Sequence, residues 1–426
     1  MMDRYLRWAF LLGIWLIAEG VGYYGLKRLR FWRRWMGWST VGAFVLLLLL
    51  YGVGFVVQGL GQHGHTIFLW LQRTAGIVFL GWLAIVLAKL LGGLVGIGTS
   101  LLPKGRLSPS GEAFQPERRA ALQVIGGTLA SLPAVALGYG FWIGRFRFQV
   151  HTVEVALPDL PPSWEGVTFV QLSDLHSGSF LSPRPLEEVW EKVQKLSPDA
   201  ILFTGDWVNA YGWELEPFVQ PLSQLNAPLG KWATLGNHDY GDYARWRTPE
   251  AKAQDHAYLR QLIQETGFRL LDNEAAILER QGERLALVGV GNWSSWRRFQ
   301  RYGDLAKAWQ RVPPQTCAIL LTHDPTHWEA QVLGKYPISL TLSGHTHGLQ
   351  MGVEWGQWRF SPAAWLYKHW AGLYQEGAQF LYVNRGLGYI GVPARLGIWP
   401  EVTLLRLYRA SSPQAVRGQA QTKAYA

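Results

Sequence analysis

The hydrophobic pattern of this chain changes character near residue 150. Before that point long uncharged apolar runs dominate, and the run from Trp38 to Val57 is long enough to cross a hydrocarbon core of roughly 30 Å. Further apolar runs cover residues 8 to 26, 75 to 98 and 121 to 144. Because helices of soluble proteins rarely lack a polar face, we predict an α-helical membrane region of about four spans within residues 1 to 150.

After residue 150, short apolar runs punctuated by Pro and Gly predict strands. They are Gly166 to Ser173, Asp199 to Thr204, Gly230 to Leu235, Arg284 to Gly289, Cys317 to Thr322, Ile338 to Ser343, Gln379 to Asn384 and Glu401 to Tyr408. Apolar residues at helical spacing predict helices over Pro185 to Leu196 and Asp255 to Thr266. This alternation indicates an α/β domain over residues 151 to 410 with sheets covered on their outer faces, followed by a flexible tail over 411 to 426.

Polar side chains follow five of the predicted strands. The clusters are Asp174-Leu175-His176, Gly205-Asp206, Gly236-Asn237-His238-Asp239, Thr322-His323-Asp324 and Gly344-His345-Thr346-His347. In α/β sheets ligands bind beyond the carboxyl ends of the strands, so we expect these clusters to converge on one site.

The converging groups have the chemistry of metal ligands. Two carboxylates, one amide and four imidazoles are available, from Asp174, His176, Asp206, Asn237, His323, His345 and His347. One zinc or iron ion takes about four to six ligands, so seven groups suit two divalent ions (Mn, Fe or Zn) that share one carboxylate. Such a pair clamps the attacking and leaving oxygens of a phosphoryl displacement. His238 can then donate a proton to the leaving oxygen, with Asp239 as its orienting partner.

The motifs Asp-x-His, Gly-Asp, Gly-Asn-His-Asp, a single His after a strand, and Gly-His-Thr-His occur here in the order that is typical of one family. In this respect the chain resembles the calcineurin-like metallophosphoesterases over about residues 165 to 408. Tyr382 to Gly388 and Pro400 to Thr403 are similar to the ending of its membrane-associated bacterial branch. The resemblance implies a metallophosphoesterase domain of two packed β-sheets flanked by helices, and metal-dependent hydrolysis of a phosphoester.

The resemblance also implies a division of the ligands, position by position. One ion would be held by Asp174, His176, Asp206 and His347. The other would be held by Asp206, Asn237, His323 and His345. His238 would be an acid that contacts the phosphate.

Two positions concern the substrate. Asn209 stands where the branch often has Asp, and Gly348-Leu349-Gln350 stands where it often has Gly-Gly-Gln, so we expect the substrate contacts to differ here. Asn209 is therefore a candidate substrate-binding residue. Arg385, at a strand end, either contacts a phosphate or forms a structural ion pair.

Charge is distributed unevenly along the chain. Residues 1 to 150 carry 15 Lys and Arg against 4 Asp and Glu, whereas the remainder carries 25 against 26. A nucleic-acid partner is not expected, because a domain that binds one carries its own basic face. The basic loops at Lys27 to Arg34 and Lys104 to Arg119 should be cytoplasmic. One further crossing places the catalytic half, after Arg145, outside the membrane, so we expect a multi-pass protein of the cytoplasmic inner membrane with an extracytoplasmic catalytic domain.

Two aromatic and basic stretches bear on the substrate. The first contains Trp293, Trp296, Arg297, Arg298, Arg301 and Trp309, and the second contains Trp355, Trp358, Trp365, Tyr367, Lys368 and Trp370. Trp with Lys or Arg favours a membrane interface, although a Trp-rich core explains the same residues.

The sequence therefore predicts a membrane-anchored phosphoesterase whose partners are the lipid bilayer and a lipid-linked or small phosphoester substrate. It would hydrolyse a phosphoester or pyrophosphate bond. One alternative is a pyrophosphatase that acts on a nucleotide-linked lipid precursor. Another is a metal-dependent sensor or assembly partner without turnover.

Overall fold

The computed structural model describes residues 41–43, 45–47, 49–50, 53, 62–101, 132–133, 135–355, 358–410 and 423–425. The chain divides into two compact units. The first comprises Met1–Phe141 with Gly391–Pro393, and the second comprises Trp142–Ile390 with Ala394–Ala426.

The described part of the first unit contains one long helix, α1 (Gln62–Leu101), of 40 residues. Its stretch Thr74–Gly92 is long and apolar enough to cross a membrane, and it is the one such helix in the described ranges. Trp82 and Val86 of this helix are buried in a cluster with Leu47.

Of the four predicted spans, the structure therefore describes one in full, the one over 75 to 98. The span predicted over 8 to 26 lies outside the described residues. Those predicted over 38 to 57 and 121 to 144 are described only in part.

The second unit is an α/β fold. In chain order, its strands are β1 (Gln149–Leu157), β2 (Thr168–Leu172), β3 (Ala200–Thr204), β4 (Lys231–Thr234), β5 (Arg269–Leu270), β6 (Glu274–Arg280), β7 (Glu283–Gly289), β8 (Cys317–Leu321), β9 (Leu340–Ser343), β10 (Val353–Trp355), β11 (Trp358–Phe360), β12 (Gly372–Glu376), β13 (Gln379–Val383), β14 (Glu401–Arg409) and β15 (Lys423–Tyr425). Its α-helices are α2 (Glu187–Lys195), α3 (Glu216–Ser223), α4 (Pro249–Glu265) and α5 (Leu305–Trp309). All eight predicted strands and both predicted helices are confirmed, with shifted ends.

The predicted helix over Asp255 to Thr266 begins earlier in the structure, at Pro249. Thr248 caps this helix, because its hydroxyl accepts the backbone N–H of Ala251 at 3.2 Å. Proline in the first turn is favourable because it lacks only an N–H that would have no helical partner.

The first sheet has the strand order β15-β1-β14-β2-β3-β4-β5. Strands β2 to β5 are parallel, and β14 runs parallel to β1 and antiparallel to β2. Strand β15 pairs antiparallel with the outer edge of β1. It lies within the predicted flexible tail, so backbone pairing orders Lys423–Tyr425, whereas residues 411–422 lie outside the described ranges.

The second sheet has the order β12-β13-β9-β8-β7-β6. Its four central strands are parallel and its two edge strands are antiparallel to their neighbours. Strands β10 and β11 form a separate two-stranded hairpin.

The two sheets pack face to face, which confirms the predicted architecture. Successive strand residues point to opposite faces, so each central strand contributes to two cores. Leu202 of β3 and Ile319 of β8 belong to the core between the sheets. Phe203 packs on the other side with the helix residue Val189, and Leu320 packs with Trp328. Burial on both faces explains why these strands are almost continuously apolar.

Candidate metal centre

The carboxyl ends of five parallel strands meet at one edge of the paired sheets. β2, β3 and β4 lead into Asp174, His176, Asp206 and Asn237, while β8 and β9 lead into His323, His345 and His347. All seven predicted ligands are therefore brought together. Six of them are buried, and the side chain of His345 is 7% exposed.

The backbone at this edge is unusual. Asp174, His176, Asp206, His345 and His347 all have positive φ, between 44° and 71°. The left-handed conformation costs an L-residue roughly 1–2 kcal/mol, so the surrounding structure must hold it in place. Backbone hydrogen bonds do so, for example from the N–H of Asp174 to the carbonyl oxygen of Gly205 at 2.9 Å. The three turns that carry these five residues are thus held in shape by the surrounding backbone.

A first group of ligand atoms surrounds His347. Its Nε2 lies 3.2 Å from Oδ1 of Asp174 and 3.1 Å from Nε2 of His176. The same nitrogen of His176 lies 3.4 Å from Oδ2 of Asp206. Asp174, His176 and His347 each offer an atom within 4.8 Å of the others, as a shared metal ion requires.

A second group surrounds His323. Its Nε2 lies 2.9 Å from Oδ2 of Asp206 and 3.2 Å from Nδ1 of His345. Nearby, the amide nitrogen of Asn237 donates to the hydroxyl of Tyr243 at 2.8 Å. Asp206 therefore contacts both groups through the same oxygen, which is the position of a bridging ligand.

These residues fit divalent cations. Nδ1 of His323 lies 2.8 Å from the carbonyl oxygen of Thr204, so it carries the proton and leaves Nε2 with a free lone pair in the site. Pairs of imidazole nitrogens at 3.1 and 3.2 Å repel each other unless a proton or a cation lies between them. The buried Oδ1 of Asn237 has no hydrogen-bond partner among the described residues and is available as a ligand.

The two carboxylates are in the ionised form that a metal requires. Burial alone would raise the pKa of Asp206, but its electrostatic interactions with the neighbouring imidazoles of His323 and His238 outweigh burial and hold that pKa well below its usual range. The pKa of Asp174 is lowered in the same way, since His347 and His323 outweigh its burial.

His238 is held beside the ligands by its neighbours. Its backbone N–H donates to Oδ1 of Asp206 at 2.9 Å, and its ring Nδ1 donates to the carbonyl oxygen of Asn209 at 2.6 Å. The ring stacks on Tyr243 with centroids 4.2 Å apart. Burial lowers the pKa of His238 to about 4, against the attraction of Asp206. The imidazole is therefore neutral when no substrate is bound.

The structure corrects the prediction that Asp239 orients His238. The carboxylate of Asp239 instead accepts backbone N–H groups from Asp206 at 2.9 Å and from Gly236 at 2.8 Å, with further bonds from Trp207 and Val208. The ring of His238 is oriented instead by the hydrogen bond that it donates to the carbonyl oxygen of Asn209. Asp239 thus joins two ligand-bearing turns to each other.

The two candidate substrate residues also have defined partners. The side chain of Asn209 lies against Ser179, with Nδ2 at 3.2 Å from the hydroxyl oxygen. The guanidinium of Arg385 is buried and donates to the carboxylates of Glu401 and Glu354. For Arg385 the structure therefore has the ion pair, which was one of the two expected alternatives.

The sequence did not place three residues beside the ligands. Tyr243 stacks on His238, and Tyr367 places its hydroxyl 3.0 Å from Nε2 of His345. Arg395 is completely buried and places Nη2 at 3.1 Å from Nδ1 of His347. Neither the motifs nor the hydrophobic pattern marks Arg395, whereas Tyr243 lies close after the Gly-Asn-His-Asp motif and could have been considered.

The two aromatic and basic stretches have different surroundings. In the first, Trp293 is buried and stacks on His327, as expected for a core residue. In the second, Tyr367 and Trp370 are buried, whereas Trp355, Trp358 and Trp365 are 83%, 84% and 77% exposed. The core interpretation therefore holds for Trp293, Tyr367 and Trp370, and the surface interpretation holds for the three exposed tryptophans.

Comparisons with known proteins agree with the motifs. The family model described as calcineurin-like phosphoesterase matches residues 167–349. The uncharacterized metallophosphoesterase YkuE of Bacillus subtilis is 30% identical over 297 residues, which cover 67% of this chain and 96% of the relative. A transmembrane protein with metallophosphoesterase domain from Danio rerio is 29% identical, with coverage of 77% and 74%. The UDP-2,3-diacylglucosamine pyrophosphatase LpxG of Chlamydia muridarum is 27% identical, with coverage of 62% and 92%.

Proposed function

This chain belongs to the calcineurin-like metallophosphoesterases and is a metal-dependent phosphoester hydrolase, and we propose that it is a dinuclear enzyme of the membrane that acts on a lipid-linked or amphiphilic substrate. The observation that carries the two-ion proposal is the position of Asp206. Its Oδ2 lies 3.4 Å from His176 and 2.9 Å from His323, which belong to different ligand groups.

In this proposal the two groups hold one ion each. The first ion is held by Asp174, His176, Asp206 and His347, and the second by Asp206, Asn237, His323 and His345. Manganese, iron or zinc suits this set of nitrogen and oxygen donors. When bound, two such ions activate the attacking water and neutralise charge on the phosphoryl oxygens.

His238 then acts as the acid. Its Nδ1 is committed to the carbonyl oxygen of Asn209, so Nε2 is the atom that can exchange a proton with the substrate. The negative charge of a bound phosphate favours the imidazolium, which offsets the effect of burial. The protonated ring can hydrogen-bond the phosphate and then protonate the leaving oxygen. Asp239 supports this arrangement through the turn that it fixes, and Asn209 supports it through its backbone.

The substrate class is inferred from two sources. A relative carries the name of a pyrophosphatase for a diacylated sugar nucleotide, which is a lipid-linked pyrophosphate. The exposed tryptophans of this chain suit contact with the same kind of molecule. A pyrophosphatase on a nucleotide-linked lipid precursor is therefore the second candidate function, favoured by that relative.

We also place the catalytic unit on the outer side of the cytoplasmic membrane. The support is the basic character of the sequence from Lys27 to Arg34 and from Lys104 to Arg119, together with the apolar stretch Thr74–Gly92. A relative named as a transmembrane protein is consistent with a membrane location.

The proposal is tested with the purified full chain loaded with manganese. It should hydrolyse bis(p-nitrophenyl) phosphate, lose this activity on chelation and recover it when the metal is restored. Lipid profiling of a deletion strain should then show the accumulated substrate. Binding of two manganese ions without turnover of any soluble or lipid phosphoester would favour the sensor alternative instead.

A further inference from the structure

The hairpin β10–β11 presents an apolar face to the outside. Its register pairs Val353 with Phe360 and Trp355 with Trp358, and residues directly opposite each other share one face. All four are exposed, at 63%, 53%, 83% and 84%. None of the four side chains on this face carries a charge.

The polar face of the same hairpin is turned toward the domain. Glu354 and Arg359 are the intervening cross-strand pair. Glu354 accepts a hydrogen bond from the buried guanidinium of Arg385, and Arg359 donates to the carbonyl oxygen of Ala371 at 2.5 Å. The hairpin is therefore amphipathic, with its apolar face exposed and its polar face toward the domain. This is the opposite of the usual arrangement, in which a sheet of a soluble protein buries its apolar face.

The exposed apolar surface extends beyond the hairpin. Leu349 and Met351 precede it and are 43% and 42% exposed, and Trp365 follows it. Leu349 comes two residues after the ligand His347, so the apolar surface begins beside the candidate metal centre. We call these seven side chains the aromatic patch: Leu349, Met351, Val353, Trp355, Trp358, Phe360 and Trp365.

An exposed positive charge lies close to the candidate metal centre. The exposed Arg298 lies over the ring of Trp296 at 4.9 Å, and that ring is 6.0 Å from Tyr367, which contacts His345. Tryptophan flanked by arginine is characteristic of protein surfaces that lie in the headgroup region of an anionic bilayer. A contiguous exposed apolar surface otherwise marks a contact with another protein.

We propose that the aromatic patch inserts into the interfacial region of the lipid bilayer and sets the metal centre at the level of the lipid headgroups. The chain has its own apolar helix stretch, Thr74–Gly92, which can keep it at such a surface. The identity of the substrate rests on the proposed function, whereas the insertion of the patch does not. An experiment can therefore contradict the proposed substrate and still support the insertion of the patch, or the reverse.

Insertion is tested by spin-label depth in the full chain, reconstituted into vesicles of phosphatidylethanolamine and phosphatidylglycerol. The label is attached at Trp358→Cys, and the native Cys317 is buried and does not compete. The matched control is Glu279→Cys on the β6–β7 hairpin, where the charged pair Glu279 and Arg284 is exposed. The label at 358 should collide with oxygen more often than with a water-soluble nickel complex, and the label at 279 should show the reverse.

The functional consequence is tested with Trp355, Trp358 and Trp365 changed together to Ser. The probes are bis(p-nitrophenyl) phosphate and a diacyl phospholipid with a p-nitrophenyl phosphodiester headgroup, which share one leaving group. Transfer of one tryptophan side chain from water into the bilayer interface changes the partition of the patch between water and the bilayer by roughly tenfold. The variant should therefore lose at least about a hundredfold in kcat/KM on the vesicle probe. Its turnover of the soluble probe should not change.

Three results would overturn the insertion. The label at 358 could be as accessible to the nickel complex as the control, which places it in water. It could be immobilised and inaccessible to both reagents, which indicates a protein partner or a second copy of this chain. The triple variant could lose activity on both probes equally, which makes the tryptophans structural. Conversely, an inserted label in a chain that hydrolyses neither probe would contradict the proposed function and leave the insertion intact.

Discussion

Replacement of Asp206 by Asn tests the shared carboxylate directly. The substitution keeps the size of the side chain and the acceptor for the backbone N–H of His238, which lies 2.9 Å from Oδ1. It removes the negative charge and places a neutral group where Oδ2 contacts His176 and His323. A single residue change thereby weakens both ligand groups.

The expected loss is large. At an effective dielectric constant of about 20, two unit charges about 4 Å apart interact by about 4 kcal/mol, and here one anion faces two divalent cations. Part of this energy is recovered because the asparagine oxygen can still bind a metal. A loss of about 2.7 kcal/mol in transition-state stabilisation already corresponds to a hundredfold in rate, so we predict a decrease of at least about a hundredfold.

The assay combines metal content by mass spectrometry with turnover of bis(p-nitrophenyl) phosphate. Asp199→Asn is the matched control, because Asp199 lies just before the amino end of β3, whereas Asp206 lies just after the carboxyl end of the same strand. The carboxylate of Asp199 accepts a hydrogen bond from Thr168 and contacts no metal ligand. Asp206→Asn should also cost more than the loss of a terminal ligand, such as His345→Ala. A wild-type chain that is fully active with one ion would refute the two-ion reasoning.

Three further predictions concern other parts of the molecule. The His238→Ala variant should keep the metal content of the wild type but turn over substrate about a hundredfold to ten-thousandfold more slowly, and this loss should be smaller for substrates with good leaving groups. Equal losses for good and poor leaving groups would mean that His238 only positions the phosphate. Burial raises the pKa of Glu214 to about 7, so the folded chain keeps a proton that the unfolded chain releases near pH 4.5. The free energy of unfolding should therefore fall by up to about 3 kcal/mol from about pH 4.5 to 7, and Glu214→Gln should flatten this slope in denaturant titrations. Protease added to intact spheroplasts should remove residues after about 150 and leave the sequence around Arg34 intact; protection of the catalytic unit would reverse the proposed side.

The metal ligands could be predicted because their chemistry and their position coincide. His323 and His345 are imidazoles that directly follow apolar strands, and strand ends in such folds converge whatever the details of the loops. The partner of Asp239 could not be predicted in the same way. Its bonds to Asp206 and Gly236 depend on how closely two turns approach in space, which no local pattern records.

The missed elements have similar causes. Helix α3 contains Pro221 in its interior, which argues against a helix on the basis of local sequence alone. Strand β1 includes His151 and Glu154, and its pairing with β14 comes from a partner far along the chain. Arg395 reaches His347 across 48 residues, so its role beside the ligands is visible only once the chain has folded.

The position of β14 has a consequence for biosynthesis. This strand lies between β1 and β2, so a segment that is translated long after both of them fills the place between them in the first sheet. Until it arrives, β1 and β2 lack their common neighbour and expose unpaired edges, which are sites of aggregation. Long-range pairing of this kind is also slow to form. The first sheet therefore cannot be completed before β14 has been translated, even though its other strands from β1 to β5 are made much earlier.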